Sequence, residues 1–168
     1  MPIESVAAAN QSHKCRQHGA MEYTQAPVEL DTVRQYRLGR LRQQMELADV
    51  AGLLLFDQIN TRYATDATNM QVWCSHYETR CVFVSQDGPV VLFDYANHPH
   101  LAEELPGIDD YRTIPSFYFF AASYHGESRA KLFAEQIYDL MRSHGGGNMR
   151  LAVDRLSFIC LLYTSDAS

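Results

Sequence analysis

"GLLLFDQINTRYATDATNMQVW", residues 52–73, decides how the rest of the chain is read. Gly52 to Phe56 is an unbroken apolar run, the pattern of a short strand buried on both faces. From Asn60 to Trp73 the composition reverses, to hydroxyls, amides, an arginine, an acid, a tyrosine and the single tryptophan. Arg62 and Tyr63 open a short helical turn, and Asp66, Thr68 and Asn69 are turn formers whose side chains bond nearby backbone. The expectation is a capped turn followed by a connector. Trp73 and His76, close to the next strand, are the better candidates for exposed function.

Upstream, Asp31 is read as the N-cap of a helix reaching about Asp49. Val33, Tyr36–Arg37, Leu41, Met45 and Ala48 recur there at three-to-four spacing, with arginines expected on the other face. Downstream, "RCVFVSQDGPVVLFDY" reads as a hairpin turning at Asp87-Gly88, with Pro89 opening the return strand. "NHPHLAEEL" is a candidate short helix and "YRTI" a short strand. Residues 127–144 form a second helix, with Ala130, Phe133, Ile137, Leu140 and Met141 on one face. Glycines 145–147 end it by offering positive-φ positions, and "MRLAVD" returns as a strand. Strands and helices alternating around an apolar sheet predict an α/β sandwich, a mixed central sheet with flanking helices.

The 168 residues suffice for one domain with a real core, and 46% hydrophobic with 20% charged content is ordinary for a globular protein. No apolar run approaches the roughly 18–20 residues of a membrane span, and the N-terminus lacks a signal core. Neither a membrane partner nor export is expected, and cytoplasm is the default location. A net charge of −6 with no Lys/Arg stripe argues against nucleic acid. Cys15, Cys74, Cys81 and Cys160 show no CxxC spacing, so free thiols are expected. Residues 1–30 read as a poorly ordered arm, 31–156 as the domain, and 157–168 as a non-native tail, because "LLYTSDA" resembles translated adapter sequence. The chain is therefore expected to be the first part of a longer protein.

Candidate chemistry is sparse. Cys74, His76 and Cys81 make a C-x-H-x4-C array with no fourth ligand nearby, so strand-end residues are favoured over zinc. His98 and His100 flank Pro99 in what reads as a solvent-facing loop. Asp109-Asp110 are adjacent, and neighbouring side chains point apart. Ser116 lacks a G-x-S-x-G elbow, and no strand is followed by GxGxxG or GxxxxGK[ST]. "FYFF", 117–120, reads as core or loop packing, with a pocket wall or interface as the sharper alternative; Phe117 and Tyr118 join Trp73 and His76 as candidates. No catalytic residue and no metal ligand is assigned within the domain.

The phrase Leu53–Phe56, then Asn60, Arg62, Tyr63 and Thr65, resembles the N-terminal domain of the creatinase–prolidase–aminopeptidase P family, the pita-bread metalloenzymes. That family often has Gly after the Thr, where this chain has Asp66. "RYATDATNMQVW" together with "HGGGNMRLAVDR" is similar to its metallopeptidase-like dimethylsulfoniopropionate lyase branch. The resemblance covers about residues 33–156. It implies an α/β sandwich preceding a catalytic domain, absent from this chain, with two divalent metal ions of the iron, manganese or zinc type. It also implies a homodimer in which one N-terminal domain shapes the other subunit's active-site entrance, and a small-molecule or peptide substrate. A lyase parent releasing dimethyl sulfide and acrylate leads, an Xaa-Pro dipeptidase or aminopeptidase is the alternative, and a free-standing interaction domain is the competing reading from another class.

Overall fold

The computed structural model describes residues 28–68, 74 and 76–155. The chain runs α1 (Leu30–Leu47), β1 (Gly52–Leu55), α2 (Gln58–Thr65), β2 (Cys81–Ser85), β3 (Val90–Asp94), a 3-10 turn (Pro99–Leu101), β4 (Asp110–Thr113), α3 (Phe119–Ala122), a second 3-10 turn (Ser123–His125), α4 (Gly126–His144) and β5 (Leu151–Val153). The strands form one sheet in the order β4-β3-β2-β1-β5. The β1–β2 and β2–β3 pairs are antiparallel, while β1–β5 and β3–β4 are parallel. The architecture is thus the mixed α/β sandwich read from the pattern of elements.

Period-two alternation divides the core between the two faces of the sheet. Phe83 and Phe93 turn toward α4, where Phe133, Ile137 and Met141 meet them. Val82, Val84 and Leu92 turn to the other face, beneath Met45 of α1 and Ala64 of α2. Every residue of β2 and β3 is buried, as strands covered on both faces must be. Gly52 stands where β1 passes under α4, and a Cβ there would collide with Met141 and Phe83, so glycine permits the close approach.

Three local readings are corrected. Helix α1 begins at Leu30 after Glu29, with no side-chain cap. Asp31 lies inside the first turn and spends its carboxylate on Arg34, at 2.7 Å. The arginines of α1 are not all on a solvent face. Arg34 and Arg37 bind Asp66 at 2.9 and 3.1 Å, and Arg42 reaches Gly88 O at 2.6 Å. Long aliphatic stems let guanidinium groups cross apolar surface to fixed acceptors, and Met45 is the helix's one buried residue.

The stretch expected as a turn and connector contains a two-turn helix, α2, starting two residues before Asn60. Asp57 caps it, accepting from Ile59 N and Asn60 N at 2.9 and 3.1 Å. Its buried positions include Gln58, Thr61 and Thr65, which hydrogen-bond internally, Thr65 Oγ1 to Thr61 O at 2.8 Å. Asp66 ends the helix at φ 65°, the left-handed conformation that Asp tolerates better than most side chains. This Asp both turns the chain and binds two arginines of α1.

Candidate functional site

The registers bring the carboxyl ends of β1, β3, β4 and β5 to one end of the sheet, together with the amino end of β2. In open α/β sheets this end is where ligand-binding groups gather. Arg80 immediately precedes β2 and Asp94 closes β3, and they meet as a 2.7 Å ion pair with both side chains 1% exposed. Arg80 also donates to Gln58 Oε1 at 3.3 Å, tying in the first turn of α2. Asp94 Oδ1 accepts from Tyr95 N at 2.8 Å and faces His98 Nδ1 at 3.5 Å. His98 is therefore anchored, which corrects the solvent-facing reading for that residue, while His100 is exposed as expected; Pro99–Leu101 is a 3-10 turn rather than a longer helix.

Beside this pair, Tyr111 OH donates to Tyr95 O, and burial pushes the Tyr111 phenol up to about 12. Tyr95 is raised too, chiefly by burial, and its hydroxyl shares hydrogen bonds with Thr79 and Tyr118. Thr79 Oγ1 donates to Cys74 Sγ at 3.2 Å. Burial holds the Cys81 thiol well above its usual range, which suppresses the thiolate that nucleophilic or metal chemistry needs. With both cysteines buried and His76 exposed, the C-x-H-x4-C array does not converge. Asp109 and Asp110 also act separately: Asp109 accepts from Val90 N at 2.7 Å, and Asp110 pairs with Arg112 at 2.8 Å.

At the outer rim, Tyr77 stacks on Tyr118 with ring centroids 5.4 Å apart and planes 25° apart. Phe120 meets Tyr77 at 6.0 Å and 82°, and Phe119 meets Phe120 at 5.9 Å and 73°. Phe119 and Phe120 remain 70% and 78% exposed. Arg129 holds this segment by donating to Ser116 O at 3.2 Å and Ala121 O at 3.1 Å. Of the four candidates, Tyr118 enters the rim and His76 lies next to it in the chain. Phe117 turns inward, 5% exposed and 5.5 Å from Phe133, so its ring is core. Trp73 lies outside the described residues.

Among the signature residues, Asn60 Nδ2 donates to Asp154 Oδ2 at 2.9 Å. Asp154 also accepts from Phe56 N at 2.8 Å and Asp57 N at 3.1 Å, so the end of β5 fastens the β1–α2 junction. Arg37 lies over the Tyr63 ring at 5.6 Å, Thr65 is buried, and Arg62 is exposed. Sequence reasoning missed Tyr77, Arg80, Asp94 and Asp154. For Arg80 and Asp94 a signal existed, since a hairpin turning at Asp87-Gly88 sets the two charges opposite each other at its base.

A concavity of about 600 Å³ lies between α4 and β5 and is lined by side chains such as Leu54, Phe133, Ile137, Met141, Leu151 and Val153. Its lining is almost wholly apolar and offers no convergent set of acids, bases or ligands. Among the described residues no group of three or more His, Cys, Asp or Glu is placed to hold a metal ion, and no helix is long and apolar enough to cross a membrane.

Comparison with known proteins gives consistent results. The Creatinase/Prolidase N-terminal domain profile matches residues 37–165. Dimethylsulfoniopropionate lyase DddP of Roseovarius nubinhibens is 39% identical over 128 residues, covering 76% of this chain. The lyase of the same name from Roseobacter denitrificans is 38% identical over 128 residues. The chain spans 29% of the length of each of these curated relatives. Among solved structures, an Xaa-Pro dipeptidase from Bacillus anthracis superposes with a TM-score of 0.52 at 14% identity, over 80% of this chain and 31% of that one. At that identity the likeness concerns the fold alone.

Proposed function

The chain belongs to the creatinase/prolidase N-terminal domain family, and from that premise we propose that it is the non-catalytic N-terminal domain of a dinuclear-metal enzyme whose parent is a dimethylsulfoniopropionate lyase. One observation carries the choice of parent: 39% identity to a protein of that activity across 128 residues, 76% of the chain. The geometry supports a non-catalytic role. Arg80, Asp94 and Asp154, three charged groups at the carboxyl end of the sheet, are engaged with one another, with the Gln58 and Asn60 side chains, or with backbone. What is left to present is the aromatic rim, and the wall it would supply includes Tyr118 and His76, with Trp73 beside them in sequence.

In this reading the arm 1–30 and the domain 31–156 precede a catalytic domain in the parent, the tail 157–168 is non-native and stands in place of the true continuation, and the whole protein is a cytoplasmic homodimer. Two divalent metal ions would belong to that parent. The described residues do not fit them, because no cluster of ligands stands together here, so no chemical step through a metal is derived. This chain's share of the work is to exclude water and to border the entrance of the partner subunit's site.

The test is to recover the downstream reading frame, express the whole protein and measure dimethyl sulfide and acrylate release alongside cleavage of an Xaa-Pro dipeptide. Sulfide release is expected. Peptide cleavage instead would assign the parent to the Xaa-Pro peptidases, and a native stop near residue 155 with a cooperatively melting monomer would make the chain a free-standing interaction domain.

A further inference from the structure

The aromatic rim has an unusual construction for a surface. Phe119 and Phe120 are exposed by 70% and 78%, yet they are not a loose pair of rings. Tyr77, Phe120 and Phe119 meet successively at 82° and 73°, so their faces look in different directions around one corner. The corner is anchored from behind, since Tyr118 stacks on Tyr77 and shares a hydrogen bond with the half-buried Tyr95. Arg129 fixes the backbone on both sides of Phe119. Ser123, just beyond, sits at φ 50° and ψ −126°, a conformation that L residues seldom adopt and that persists only where the surroundings impose it.

We propose that Tyr77, Phe119 and Phe120 form an open aromatic corner that recognises an organic onium cation, a sulfonium or quaternary ammonium group. Ring faces carry negative quadrupole potential, and a methylated cation has no N–H donors to satisfy, so it exchanges water for ring faces at little cost. A lysine-like ammonium would forfeit its hydrogen bonds in the same place. The chain's net charge of −6 adds a general attraction for a cation. The proposal deepens the function proposed above and rests on it for the natural ligand, whose positive end would meet this corner.

The full chain, labelled for aromatic ¹H–¹³C spectra, is titrated with trimethylsulfonium and, separately, with neutral dimethyl sulfide. Saturable shifts of the Phe119, Phe120 and Tyr77 ring signals are expected with the cation alone. Phe120→Leu should weaken the apparent affinity about two- to fivefold, the range for one exposed cation–π contact. Tyr124→Leu, which removes a ring 96% exposed and outside the corner, should leave it unchanged. Equal shifts with dimethyl sulfide, linear shifts with the cation, or an indifferent Phe120→Leu would each overturn the corner. Peptidase activity in the whole protein with cation-specific shifts intact would remove the lyase parent and leave the corner. Lyase activity without those shifts would do the reverse.

Discussion

The β2–β3 hairpin and strand β5 are both apolar stretches of one sheet, yet they end in opposite conditions. All ten residues of the hairpin strands are buried, and their alternating side chains find partners on both faces. Strand β5 has Leu151 and Val153 still 36% and 39% exposed, over a groove whose other wall is α4. The difference lies in position, since the hairpin holds the middle of the sheet and β5 its rim. Stability should therefore reside in the hairpin and its base, while β5 offers apolar surface at little energetic consequence among the described residues.

The sharpest way to break this contrast is at the hairpin's base. Asp94→Ala strands the buried Arg80 guanidinium and should cost about 3–5 kcal/mol by urea melting, since an uncompensated buried charge is heavily penalised. Arg80→Met combined with Asp94→Leu should recover most of that loss, because removing both charges removes the penalty too. If the double variant is no better than the single one, the pair is contributing geometry rather than charge balance.

Next in size is a matched pair of substitutions. Val82→Ser in the hairpin should cost about 2–4 kcal/mol, combining a lost apolar side chain with a buried hydroxyl. Val153→Ser on β5 should stay within about 0.5 kcal/mol, as half-exposed positions do. Equal losses in thermal melts would mean that β5 is as enclosed in solution as the hairpin.

The smallest effect is a pH dependence. Tyr111 and Cys81 both hold their protons more tightly when folded, because burial raises each. A raised folded value contributes stability that is fully present below the unfolded value and lost as pH rises through the folded one. For Tyr111 that window runs from its ordinary 10.0 to about 12. Melting temperature should thus decline across alkaline pH, and Tyr111→Phe should flatten the upper part of the decline. Native Cys81 should resist thiol reagents until the domain unfolds.

Much of the fold was legible in the sequence, for reasons that differ along the chain. The hairpin declared itself through two apolar runs around Asp87-Gly88, and α4 through its buried stripe of Phe133, Ile137, Leu140 and Met141. Helix α2 was concealed because its inward positions, Gln58, Thr61 and Thr65, are polar and leave no hydrophobic period to read. The start of α1 was misplaced because Asp31, a good cap by residue type, pairs with Arg34 instead. The rim was half visible. "FYFF" announced aromatic density, but only tertiary structure separates Phe117 in the core from Tyr118 on Tyr77, a residue far away in sequence.

The three bonds accepted by Asp154 carry a consequence for the order of events during synthesis. They join positions 98, 97 and 94 residues apart, the first strand and the helix after it to the last strand. On a ribosome adding about 5–20 residues per second, the partner that fastens the start of α2 is made roughly 5–20 s after the helix itself. Until then β1 also lacks its parallel neighbour. The hairpin therefore has all its residues in hand before the β1–α2 junction can be fastened, and that junction must wait for the end of the domain.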